Sequence, residues 1–571
     1  SEEAVVSRQS SVVSEDEAGG PGLDSEIPPS PIQNPGGGPG PDSGVPPSPI
    51  QNPKSKIQNR KIRASLDSLV DKSLVVVEEH DGAPRYRLLE TIRYYARERL
   101  LESGEAAAVR GRHRAWCCAW AAQAVPGLRG PAQQAWLRQL DQEHDNMRAA
   151  LEWSKTAPDG PAAGLYLAGL LFWYWSLRGY WSEGRSWLAA LLATADQNPQ
   201  RAAALYAAGA LAWNQGDLPQ ARTLLEESTR CWRAGEAGPG LASALAALSL
   251  VLVYQGDRLR ARALAAESVT LLRAAGDSWG LAHALDALGR VLVGLGDDGA
   301  AQRCYEESLA LFRQAGDGWS IATPLHNVAR LHMRRGDYTA ARARLEESLA
   351  IVRALGGKRT TAWSLCSLGE AALYQGDYGR AQSWAEESLA LARELGDKAG
   401  RAEALNILGE VAQAQGDYPR ADQLYTESLA LFREVGGTGG VAWLLHDQGE
   451  LARLQGAGDV AARRFAESLI LFQEMGGKRG LADCLIGLAA LAGAGGQFDR
   501  AARLLGAAQA LLDAMGAALP PLDRVAYEQH LATSRAGLGA PAFTAAWEAG
   551  QALALEEAVA YARQSPGAGA P

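Results

Sequence analysis

Chemistry in a protein starts from a few residue types at a few spacings, and this 571-residue chain offers little of either. Its histidines are His80, His113, His144, His283, His326, His332, His446 and His530. No HExxH pair, GxSxG elbow or EF-hand loop is present. His283 and His326, with Asp286, carry donors that a metal could use. Metal sites normally need three or four convergent ligands, so these are expected to be solvated polar residues instead. Cradling a nucleotide takes GxxxxGK[ST], because backbone N–H groups and a lysine must meet the phosphates and a hydroxyl must hold magnesium. The nearest strings, Gly357-Lys358-Arg359 and Gly477-Lys478-Arg479, lack that hydroxyl and read as turns. Six cysteines form no CxxC pair and are too sparse for a disulfide scaffold. The chain is expected to have no catalytic residue, no cofactor and no metal, and not to be an enzyme.

Composition narrows the classes further. Lys+Arg is 56 against Asp+Glu 65, a net charge of −9 with 47% hydrophobic residues. That balance speaks against a nucleic-acid-coating surface. Charge is nevertheless uneven, with eight acids and one base in residues 1–53 and five bases without an acid in 54–63. The uncharged stretches Gly160–Leu177 and Ala237–Gly256 approach the length of a membrane span, about 20 residues. Both are rich in Gly, Ala and Ser, and they are read as buried helices. The acidic N-terminus has no apolar signal core, so the expected place is a reducing cytoplasm, with no membrane partner.

The elements that must position any site follow in order. Residues 19–53 hold eleven Pro and eight Gly and contain PPSPIQNP twice, so 1–63 is expected to be disordered, ending in the basic arm Lys54–Arg63. The segment ASLDSLVDKSLVVVEEHDGAPRYRLLETIRYYARERL reads as a short helix from Ala64, a strand Leu74–Glu79, a turn at Asp81-Gly82, a strand Arg85–Leu89 and a helix from Thr91. These residues, with LRGPAQQAWLRQLDQEHDNMRAALEW further on, resemble the winged helix and its link into the repeat array in bacterial STAND (NB-ARC-like) signalling ATPases. The resemblance implies a partial winged helix over 64–104 and a helical connector over 105–160, without the ATPase domain.

From residue 201 the chain repeats every 40 residues. Gly recurs at 216, 256, 296 and on to 496, and a second Gly series runs from 276 to 516. Ala recurs from 221 to 501 and Ser from 228 to 468. In one unit, Leu281, Ala282, Leu285, Leu288, Val291 and Leu292 follow helical spacing. Gly296 then ends that helix and Asp297 caps the next. Small residues, Gly289, Ala301 and Ser308, fall where the two helices must meet. The phrases QGDYGRAQSWAEESLALARELGD and QGDYPRADQLYTESLALFREVGG resemble tetratricopeptide repeats. The expected fold is all-α, a right-handed tetratricopeptide superhelix over 161–535 with capping helices and a disordered tail over 536–571.

Repeat phase then picks out the exposed side of each first helix as a concave groove. Its early part is apolar and ends at Tyr254. The middle carries His283, Asp286, Arg290, His326, Arg330 and Arg334. The late part is acidic and aromatic, with Trp363, Glu370, Tyr374, Glu403, Asn406, Glu410, Trp443, His446 and Glu450. Such a groove would bind a protein or peptide segment, apolar contacts giving affinity and charges giving orientation. The chain's own basic arm is a further candidate occupant. The expected function is a partner-binding scaffold in a STAND-type regulator. The alternative is a DNA-associated regulator using the winged-helix remnant and its arm, although DNA is not the expected partner.

Overall fold

The computed structural model describes residues 55–80, 83–194, 198–235 and 238–564. The PPSPIQNP copies, Lys54, the Asp81-Gly82 turn and the final residues 565–571 lie outside these. Among the described residues there are twenty-five helices and one two-stranded hairpin. The chain is the all-α, right-handed superhelix expected from its repeat, with a small hairpin near its start.

Helix α1 (Ser55–Asp71) precedes the antiparallel pair β1 (Val75–His80) and β2 (Ala83–Leu88), and α2 (Glu90–Glu102) follows. The helix begins nine residues before the expected Ala64, so Lys56, Arg60, Lys61 and Arg63 stand on a helix and not on a linker. Arg85 ties the hairpin to α4 (Gln133–Thr156) through the Gln142 carbonyl at 2.8 Å and the Glu143 carboxylate at 3.0 Å. Between them α3 (Ala106–Gly127) leads into the array.

Nine helix pairs follow, from α5 (Gly160–Arg178) and α6 (Trp181–Leu192) to α21 (Lys478–Ala494) and α22 (Phe498–Met515). Local chemistry sets each boundary. Both glycine series are left-handed: Gly296 has φ 85° and Gly316 φ 69°. Across Gly296 the Asp297 N–H returns to the Leu292 carbonyl at 3.0 Å. The Asp297 side chain then accepts from the Ala300 N–H at 2.9 Å, capping the next helix as expected.

Packing explains the remaining periodic positions. A Cβ on Gly289 would stand 2.4 Å from the Tyr305 ring, and one on Gly409 2.5 Å from Tyr425, so only glycine admits the ring there. Ala301, Ala341 and Ala381 are fully buried at the same seam. The periodic serine does more than stay small. Ser308 Oγ donates to the Ala282 carbonyl of the paired helix at 2.7 Å, and Ser228, Ser268, Ser388, Ser428 and Ser468 repeat that bond. On the outer surface, Arg233–Glu267, Arg273–Glu307, Arg313–Glu347 and Arg353–Glu387 pair successive second helices.

The inner surface is built by the first helix of each pair. These are α5, α7 (Arg201–Asn214), α9 (Pro239–Tyr254), α11 (Ser278–Leu295), α13 (Gly318–Arg334), α15 (Lys358–Tyr374), α17 (Lys398–Ala414), α19 (Thr438–Leu454) and α21. The array also touches itself at long range. Gln133 Nε2 donates to Asp317 at 3.2 Å, Gln134 to the Ala354 carbonyl at 3.3 Å, and the Ala518 N–H to the Arg334 carbonyl at 3.2 Å. The chain closes with α23 (Pro521–Leu538), α24 (Ala540–Gln551) and α25 (Leu555–Arg563), the first of which starts ahead of residue 536.

Candidate functional site: the inner channel

The early inner face is not open to solvent. The link between α3 and α4 tucks against it, where Trp173 Nε1 donates to the Leu128 carbonyl at 3.2 Å. The Arg129 guanidinium lies 4.4 Å from the Trp279 ring centroid, and Trp279 Nε1 donates to the buried Asp317 at 2.9 Å. His283 sits among Trp279, Phe312 and Trp173, with centroids 4.3, 4.6 and 6.1 Å away. Burial, and then the charge of Arg129, hold its pKa well below the usual histidine range.

Three residues expected to be solvated are therefore corrected. His283 is walled in by rings. Asp286 is 7% exposed and accepts from Asn327 Nδ2 at 2.9 Å. His326 is 2% exposed and stacks on Trp363 at 3.5 Å, which gives both side chains a partner inside the array. Neighbouring inner helices stand close enough to cover each other's side chains, a closeness that repeat phase does not report. Among the described residues, no group of three or more His, Cys, Asp or Glu could hold a metal ion.

The middle of the channel is basic but partly engaged. Arg290 donates to the Tyr254 hydroxyl at 3.2 Å and lies over the Trp213 ring at 5.7 Å. Arg334 reaches back one repeat to Asp298 at 3.1 Å. Arg330 is exposed.

The late part concentrates carboxylates, as phase suggested. Glu410 accepts from Asn406 at 2.9 Å. Burial pushes its carboxyl well above the usual range, and the charges of Asp447, Glu370 and Asp523 push it further. Glu450 is held by Arg453 at 2.8 Å. Glu370, Glu403 and Tyr374 are half-buried, and the Tyr374 phenol is raised by burial and by Glu370. Trp443 is 38% exposed and meets Phe472 edge to face at 4.9 Å. His446 faces Asp447 at 3.2 Å. Burial alone would lower its pKa, but the hydrogen bond and charge of Asp447, with Glu450 and Asp483, outweigh it and lift it to about 9.

Sequence reasoning missed part of this constellation. Arg479, read as a turn residue, pairs with Asp483 at 2.7 Å on α21 and donates to the Ala518 carbonyl at 3.1 Å. Asp523 on α23 keeps an exposed side chain within the field of Asp483, Arg479, His446 and Glu450; partial desolvation first, and the charge of Asp483 next, lift its carboxyl to about 6. Asp483 shares the phase of His283 and Trp443 and was findable. Asp523 follows no repeat and was not.

Comparison with known proteins fits this architecture. A family model described as a tetratricopeptide repeat matches residues 320–394 and 400–474, and one described as a winged helix-turn-helix domain matches 54–101. A candidate HTH-type transcriptional regulator of Mycobacterium bovis is 44% identical over 130 residues, covering 22% of this chain and 14% of that protein. A Mycobacterium tuberculosis counterpart matches equally. The chain thus spans 14% of the length of these curated relatives. Among solved structures, a Rap protein complexed with Competence and Sporulation Factor is 14% identical, with TM-score 0.49 over 64% of this chain and 99% of that one. A Pyrococcus horikoshii signal transduction ATPase with a tetratricopeptide sensor is 15% identical, with TM-score 0.39 over 66% and 59%. Tetratricopeptide repeats behind a winged helix-turn-helix segment describe the chain at this level.

Proposed function

We propose that the chain is a non-enzymatic interaction scaffold whose inner channel takes a basic or amphipathic segment of a partner protein. It would be the sensor part of a STAND-type regulator, cytoplasmic, with no nucleotide-binding loop within these 571 residues. Residues 64–104 would serve as its winged helix, 105–160 as the connector, 161–535 as the solenoid and 536–571 as its cap. Among the described residues, no helix is long and apolar enough to cross a membrane.

One observation carries this reading. Glu370, Glu410 and Glu450 share one phase of successive inner helices, and Asp447, Asp483 and Asp523 add to their field. Charges about 10 Å apart sum within one Debye length. The exposed face of Trp443 offers a cation–π contact of roughly 0.5–2 kcal/mol. The test is binding of fluorescein-labelled octalysine to the full chain, followed by anisotropy. Changing Glu370, Glu410 and Glu450 together to Lys should weaken binding at least tenfold and flatten its salt dependence. Equal binding at low salt would leave the carboxylates as a solvated face.

A second reading rests on α1. Its basic residues lie on the helix that precedes the hairpin, inside the segment matched as a winged helix-turn-helix domain. That is where such a unit would meet DNA. Retention on duplex DNA that falls steeply with salt, and is lost when Arg60, Lys61 and Arg63 become Ala, would favour it.

A further inference from the structure

The second glycine series holds a strict rule until its last member. After Gly276, Gly316, Gly356, Gly396, Gly436 and Gly476, the next first helix begins two residues on. After Gly516 (φ 58°) the chain instead runs without helix through Ala517–Pro520, and α23 begins at Pro521. This detour carries the chain across the late channel. The Ala518 N–H bonds to the Arg334 carbonyl at the end of α13, and the Ala518 carbonyl accepts from Arg479 on α21. One residue therefore bridges two inner helices that are far apart in sequence. Beyond it, Asp523 enters the field of Asp483, Arg479, His446 and Glu450, and its own charge acts on Tyr338, Tyr374 and Glu410.

This occupant answers the charge of its site poorly. Asp523 is matched by Arg524 next to it, so the segment brings no net positive charge to a channel already lined by Glu370, Glu410, Asp447, Glu450 and Asp483, and Arg479 ties it down through the Ala518 carbonyl. A lysine or arginine at the same place would satisfy the field that Asp523 opposes.

We propose that residues 517–524 form a displaceable strap over the acidic end of the channel, which a basic partner segment must lift to reach Glu410 and Glu450. This rests on the channel reading above, and the test separates the two. A Cβ on Gly336 would stand 3.9 Å from the Ala518 Cβ, within the separation of about 3.5–4.5 Å that a disulfide takes. The full chain carrying Gly336→Cys and Ala518→Cys locks the strap when oxidised and frees it in dithiothreitol, with no change of charge. Labelled octalysine should bind the oxidised protein at least tenfold more weakly than the reduced one, while the parent ignores the reductant. Equal affinity in both states, with the crosslink confirmed by mass, overturns the strap. Loss of binding on the triple Glu→Lys change then still upholds the channel. Binding indifferent to that triple change defeats both. Because a side chain at φ 78° is strained, Ala518→Pro provides a second route by deleting the N–H that reaches Arg334. Octalysine should bind this variant at least threefold more tightly than the parent. Unchanged affinity together with faster amide exchange in 517–524 also overturns the proposal.

Discussion

His326 lies on Trp363 with ring centroids 3.5 Å apart and planes 25° from parallel, joining the inner helices of two successive repeats. The pair sits where a solvent-facing groove was expected, and it makes the inner wall part of the core. Trp363→Ala should cost about 2–4 kcal/mol by lost burial and stacking. A double-mutant cycle with His326→Ala should return a coupling of about 0.5–1.5 kcal/mol in urea unfolding. No coupling would mean that the rings merely coincide.

Ala341→Leu and Ala381→Leu should each overpack the seam between paired helices and cost roughly 1–3 kcal/mol. Ser308→Ala should cost about 1 kcal/mol by removing the bond to the Ala282 carbonyl. Thermal melting of the three variants checks both claims. Leucine variants that melt like the parent would remove these alanines from the seam.

His446 fixes a pH dependence of definite sign. Its folded pKa, about 9, stands above the ordinary 6.5. The folded state therefore holds more protons between these values, and stability falls as pH rises from 6.5 to 9, by roughly 3–4 kcal/mol at most. Asp447, Glu450 and Asp483 face the ring and set the direction. Glu410 and Asp523 are also raised and act in the same sense, each above its ordinary carboxyl range. His446→Gln should flatten the decline in urea titrations at pH 6.5, 7.5 and 9. The buried His283 and His326 have lowered pKa values. Their contribution is therefore lost on the acid side, as pH falls below 6.5.

Calorimetry with ATP or ADP in magnesium should show no binding at micromolar nucleotide, because no loop in the chain combines the backbone cradle, lysine and hydroxyl that the phosphates require. Magnesium-dependent heat in that range would refute this.

What was legible in the sequence was local. Gly296 and Asp297 announced a helix end and a cap, and Gly289 and Ala341 announced close helix contact, because each acts within its own unit and recurs 40 residues later. The hairpin followed from the short apolar runs at 74–79 and 85–89. The inner wall was harder. His283 is buried by Trp279 and by the link around Arg129, and Asp523 is brought to His446 by the detour after Gly516. Both depend on segments that belong to no repeat, so phase carried no sign of them. The start of α1 was missed for a different reason: its basic, weakly apolar first turns look like linker.

The contacts between distant parts of the array have a bearing on how such a chain can evolve. Gln133 meets Asp317, 184 residues on, and Arg334 meets Ala518 at the same separation. Deleting or duplicating one 40-residue unit between them would leave every neighbouring interface intact, since all units are built alike. The two meeting points would nevertheless swing out of reach, like the teeth of a gear cut to the wrong number. Repeat arrays usually gain and lose copies freely. Here the copy number is counted by the fold itself, and units can diverge in sequence far more readily than they can change in number.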